Sequence, residues 1–137
     1  MGESMRAYAG QQTALLLGRL SVAVNRAARD ADAASIHDLR VAMRRLSRCL
    51  RVFAPLYPDG SWKKMRRRIA SLLAAAGAVR DCDIALELVA RAGVSRRNAM
   101  VTQLAAQRRK AGRDLLLEIR RWKSRDYPRQ WRSRLEL

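Results

Sequence analysis

The stretch Ser35 to Phe53, "SIHDLRVAMRRLSRCLRVF", decides how the chain folds. With His37 at zero and each residue advancing about 100°, Arg40, Arg44, Arg48 and Arg51 fall within roughly 60° of the imidazole, while Ile36, Leu39, Ala42, Met43, Leu46, Leu50 and Phe53 gather on the far side. Apolar residues recurring at this period predict an amphipathic helix with one face for a core and one row of cations. From His37 to Arg51 the row spans about 21 Å, with neighbours roughly one turn apart. Like charges at this spacing repel unless an anion lies over them, and the row suits an extended polyanion better than one small ion. A solvated basic face is the alternative reading of the same pattern.

The helical period extends outward from this segment. Pro55 and Pro58 stop the helix, and its start is read at Ser35 as N-cap, with Asp38 as the acid of a capping box. A first helix is expected from about Glu3 to Arg29. Ser61 is read as the cap of a third helix, "WKKMRRRIASLLAAAG", and Gly77 as a break before a fourth, "AVRDCDIALELVARAG", that ends at Gly93. Ser95 is read as capping a fifth that runs to about Trp122. The tail from about residue 124, "SRDYPRQWRSRLEL", contains Pro128 and is either a docking segment or frayed. The expected architecture is all-α, an antiparallel helical bundle of about five helices with a basic face or groove, in a single domain over residues 1–137.

In the third helix Met65, Ile69, Leu72, Leu73 and Ala76 share one face, with Lys64 and Arg68 at its rim and Lys63, Arg66 and Arg67 further round. In the last long helix the stripe Val101, Leu104, Leu115 and Ile119 includes Arg97 and Arg108, which by angle look into the bundle. A buried arginine needs a partner. For Arg108 that partner is Asp81, Asp83 or Glu87, or an external anion, and snorkelling past the rim is a third option.

Composition points outward. Against 29 Lys plus Arg stand 12 Asp plus Glu, a formal net charge of +17, so internal pairing cannot neutralise the bases. A polyanionic partner follows, and the arginine excess favours phosphate, whose oxygens match the guanidinium fork. Cys49 and Cys82 lack zinc or redox spacing and are read as two buried reduced thiols. No metal site and no cofactor are expected: the chain has a single histidine, no Walker-type loop and no acidic cluster able to hold two metals. No stretch has signal-peptide or membrane-spanning character, so no membrane insertion and a cytoplasmic location are expected.

The run "IHDLRVAMRRLSRCLRVF", followed by a tryptophan-led basic helix and then "AAGAVRDCDIALEL", resembles the CHAD family, the conserved histidine α-helical domain. The resemblance covers residues from about 30 to 92. It implies a non-catalytic helical domain that binds inorganic polyphosphate along a basic surface or channel and targets proteins to polyphosphate granules. Carried onto this chain, it makes His37 the family's histidine and Arg40, Arg44 and Arg45 its motif arginines, continued by Arg48, with Arg80 and Asp81 from the second motif. Arg51, Lys64, Arg68 and Arg108 join them as candidate polyphosphate contacts. Ser47 stands where a basic residue is often found. Family members commonly have two similar bundles and this chain looks like one bundle plus a long helix, so either a homodimer completes the channel or one chain offers an open groove.

Three other readings remain at this level. A nucleic-acid-binding protein shares the charge, although no helix-turn-helix, RNA-recognition or zinc-finger pattern is present, and nonspecific nucleic-acid binding is expected in any case. A phosphohydrolase lacks its motifs. A basic amphipathic membrane-surface module would need anionic lipid.

Overall fold

The computed structural model describes residues 2–58 and 60–137, with side chains described from residue 4 onward. Among the described residues it is all helix and no strand: α1 (Gly2–Arg29), α2 (Ala33–Val52), a short 3₁₀ turn (Ala54–Leu56), α3 (Ser61–Arg91), α4 (Ala99–Ser124) and α5 (Tyr127–Arg134). α1 packs on α2, α2 on α3 and α3 on α4, and α5 closes back on α1.

The count of five matches the sequence reading, but the division differs. Gly77 does not break the chain, and α3 runs unbroken through it. An interior glycine costs roughly 1 kcal/mol relative to alanine. Continuity here keeps Leu72, Ala76 and Val79 buried on one face, which outweighs that cost. The fifth helix comes instead from the tail. Trp131 and Leu135 are buried, and Trp131 meets Trp122 and Tyr127 at ring separations of 5.1 and 5.6 Å, so the tail docks.

The caps also shift. Asp32, not Ser35, caps α2, its carboxylate accepting from the Ser35 N–H at 2.8 Å. Ser35 is buried in the first turn, where its hydroxyl donates back to the Asp32 carbonyl at 3.1 Å. Two capping-type residues lie three apart, and Ala33 and Ala34 between them are good helix formers, so the helix starts at the earlier one. Asp38 is therefore free of the capping box and pairs with Arg26 of α1 at 2.6 Å. Asn98 caps α4 rather than Ser95, accepting from the Met100 N–H at 2.9 Å. Ser61 is the first residue of α3 and follows Gly60, whose φ of 81° suits glycine. At the far end Gly93, with φ 75°, closes α3: its N–H reaches the Ala90 carbonyl and that of Val94 reaches the Val89 carbonyl, a Schellman ending.

On α2 and α3 the core lies where the wheels place it, whereas Val101 and Leu104, expected on the packed stripe of the last long helix, are only half-buried. Leu17 and Leu20 of α1, Ile36, Leu39, Met43, Leu46 and Leu50 of α2, Met65, Ile69 and Leu72 of α3, and Leu115 and Ile119 of α4 are all fully buried. Ala42, Phe53 and Leu73 pack at its margin. Arg97 departs from expectation, being exposed in the turn before α4. From Arg80 to Asp114 no residue is buried, because α3 and α4 run on beyond the region where α1 and α2 cover them.

Candidate anion-binding face

Burying the apolar side of α2 between α1 and α3 leaves its basic side outermost. His37, Arg44, Arg45, Arg48 and Arg51 are exposed and Arg40 is half-buried. Among the described residues, five ion pairs form and none includes an arginine of α2. The row is an unneutralised line of cations on a rigid helix.

Its two edges differ. On the α1 side, His37, Asp38, Val41 and Arg45 meet Arg19 and Arg26 around a shallow hollow of about 450 Å³, braced by the Arg26–Asp38 pair. On the α3 side, Ser47 accepts a hydrogen bond from Nε of Arg66 at 3.3 Å, and the Arg66 guanidinium lies 5.6 Å from the centre of the Trp62 ring. Ser47 is the position where α2 lacks a basic side chain, and α3 delivers one beside it. The wheel of α3 alone sets Arg66 away from the packed face; only the α2–α3 register brings it here. The signal available in the sequence was the uncharged residue at 47 itself.

Arg40 and Arg80 complete this side. The Nε of Arg40 is buried with no hydrogen-bond partner among the described residues. Leaving a buried donor unsatisfied costs about 1–3 kcal/mol, and more in a charged group. Arg80 is half-buried and lies fourteen residues after Arg66, within about 40° of it on the same flank of α3.

The other expected contacts separate from this face. Arg68 lies on the opposite flank of α3, lining a cleft of about 220 Å³ with Glu118, Arg121 and Arg125, its guanidinium 5.8 Å from the centre of the Tyr127 ring. Lys64, one turn earlier, shares that flank. The structure thus does not bring Lys64 and Arg68 together with the α2 row.

Arg108 is held inside the fold. Its Nε donates to Asp83 Oδ1 at 3.0 Å and its Nη2 to the Ala31 carbonyl at 2.6 Å. Of the alternatives for this residue, the internal pair is the one present. Gly112, one turn on, makes room for it, since a Cβ there would stand 2.9 Å from Arg108 Nη1. Asp83, in the interior of α3, is committed to this pair.

Cys49 is buried and Cys82 half-buried, both free thiols. Among the described residues, no three His, Cys, Asp or Glu side chains gather as metal ligands, and no helix is long and apolar enough to cross a membrane. The row, its brace to α1 and its supplement from α3 make a surface that can bind several anionic groups in sequence through charge-assisted hydrogen bonds.

No curated protein and no solved structure matches the chain. The family model of the CHAD domain matches residues 11–136, reaching well beyond the two central motifs into the first helix and the docked tail, and the chain belongs to that family.

Proposed function

We propose that this domain binds inorganic polyphosphate along the α2 row, without catalysing its turnover, and serves to attach the chain to polyphosphate granules. CHAD domains are associated with polyphosphate binding, and the family match covers residues 11–136 of this chain. The observation that carries the reading is the continuity of free cations across two helices: Arg40, Arg44, Arg48 and Arg51 on α2, with Arg66 and Arg80 on the adjoining flank of α3. Successive phosphates of a linear chain present the acceptors that such a row lacks internally. Release of counterions from the polyanion supplies much of the affinity, as for nucleic acids, so binding weakens as salt rises. His37 in its protonated form and Arg45 extend the row toward α1. Arg108 acts indirectly, by holding the α3–α4 pair against the loop that precedes α2.

The experiment is a comparison of two double charge reversals. Arg44→Glu with Arg48→Glu removes two charge-assisted hydrogen bonds, each worth about 1.5–3 kcal/mol, and is expected to weaken polyphosphate affinity on the order of a hundredfold. Arg129→Glu with Arg132→Glu changes the net charge equally on exposed positions of α5 and is expected to cost less than about tenfold. Equal losses would mean that bulk charge, not the α2 row, binds the chain.

A further inference from the structure

A second set of cations converges away from the α2 row, where α3, the end of α4 and the start of α5 meet. Arg68, Arg121 and Arg125 line a cleft of about 220 Å³ together with Glu118, walled by the buried Trp122 and the half-buried Tyr127. The fold builds this place. α4 stops at Ser124, and Asp126, with φ 48°, turns the chain so that Tyr127 returns beside Trp122, their ring centres 5.2 Å apart. Aspartate is among the residues that tolerate this left-handed backbone. The Tyr127 ring in turn receives the Arg68 guanidinium at 5.8 Å, and Glu118 accepts a hydrogen bond from Arg121 at 3.2 Å. One arginine on α3 and one on α4 are thereby held in place.

Charge and volume select the ligand. Three arginines against one glutamate leave the lining at +2, and Arg68 and Arg125 enter no ion pair among the described residues. The Arg121 carbonyl, at the helix end whose partial negative charge opposes an anion, already accepts from the Arg125 N–H at 3.1 Å and the Ser124 hydroxyl at 3.2 Å. Pockets for drug-sized ligands begin at about 300 Å³, so a cleft of 220 Å³ suits a smaller group. Guanidinium forks on separate helices match the oxygens of adjoining phosphoryl groups. We infer that this cleft binds a compact phosphate anion of one or two phosphoryl groups, the size of pyrophosphate, at a site separate from the α2 row. The site stands whether or not the row binds polyphosphate.

The probe is pyrophosphate, titrated into the parent and into the full chain carrying Arg44→Glu with Arg48→Glu, which removes the contribution of the row. Trp62→Phe in both leaves Trp122 and Trp131 as the emitting tryptophans. A saturable change in their emission is expected in both proteins, with one pyrophosphate bound per chain by calorimetry. Adding Arg68→Gln with Arg125→Gln should leave the helical circular dichroism intact, since both side chains are exposed, and weaken binding at least about tenfold. Arg109→Gln with Arg113→Gln removes the same charge from exposed positions earlier on α4 and should weaken it less than about threefold. A short phosphate chain, matched in concentration of ends, should displace pyrophosphate equally if chain ends occupy the cleft and more weakly if the free anion does. No saturable binding, binding by the parent that the row reversals abolish, or equal weakening by both glutamine pairs would overturn the inference.

Discussion

Ser47 and Arg66 show what one residue contributes when its neighbour is on another helix. The α2 row was legible because every member lies on one helix, where angle follows from spacing alone. Arg66 was not, since its place depends on the register between α2 and α3, which spacing within either helix does not contain. Arg108 lies between these cases: its inward angle and its need for a partner were readable, whereas the choice of Asp83 over Asp81 or Glu87 required the α3–α4 register. A second residue-scale feature has no sequence signature. Thr13 of α1 donates to the Ala9 carbonyl at 2.8 Å and contacts the Tyr57 hydroxyl and Cys49 Sγ, while the Tyr57 hydroxyl donates to the same carbonyl at 3.1 Å. Burial pushes the Tyr57 phenol above its ordinary value of 10.0 and the Cys49 thiol above 9.0, each opposed in part by the Thr13 hydrogen bond. Both neutral forms are favoured by folding. Their contribution is fully present below the unfolded values and is lost as pH rises through them toward the folded ones. Urea midpoints measured from pH 7 to about pH 11 should therefore fall more for the parent than for Tyr57→Phe with Cys49→Ala. Parallel curves would contradict the assignment.

At the scale of elements, the helical segments and the buried faces of α2 and α3 follow from period, but punctuation misleads at Gly77, which reads as a break and yet does not divide α3, and the helix ends do not follow. Asp32 and Ser35, and again Ser95 and Asn98, place two capping residues within one turn, and spacing alone does not choose between them: the earlier one caps α2 and the later one α4. The tail carried its signal in Tyr127, Trp131 and Leu135, apolar residues one turn apart that meet Trp122 only in three dimensions. Gly77 and Gly112 give the sharpest test of the helices themselves. Both are interior, yet a Cβ at Gly77 meets nothing within 4 Å, whereas at Gly112 it crowds Arg108. Gly77→Ala should raise stability by about 0.5–1 kcal/mol in chemical denaturation, the glycine penalty recovered. Gly112→Ala should gain nothing, because the Arg108 guanidinium, tied to Asp83 and Ala31, must give way. A stabilising Gly112→Ala would mean that the Arg108 clamp is loose.

For the whole molecule, charge and shape act together. An excess of bases that internal acids cannot absorb leaves a line of free cations along α2 and α3. Net charge alone would attract any polyanion. A dedicated site must discriminate among them, favouring a flexible chain of phosphates with no bases or sugars between, able to follow closely spaced arginines. The direct measurement is a competition titration at physiological salt, in which unlabelled polyphosphate, single-stranded RNA and duplex DNA, matched in phosphate concentration, displace labelled long-chain polyphosphate from the purified protein. Polyphosphate should compete at a phosphate concentration at least about tenfold below either nucleic acid, a difference of about 1.4 kcal/mol in favour of the site. Equal competition by all three would contradict a polyphosphate site and leave a general polyanion binder.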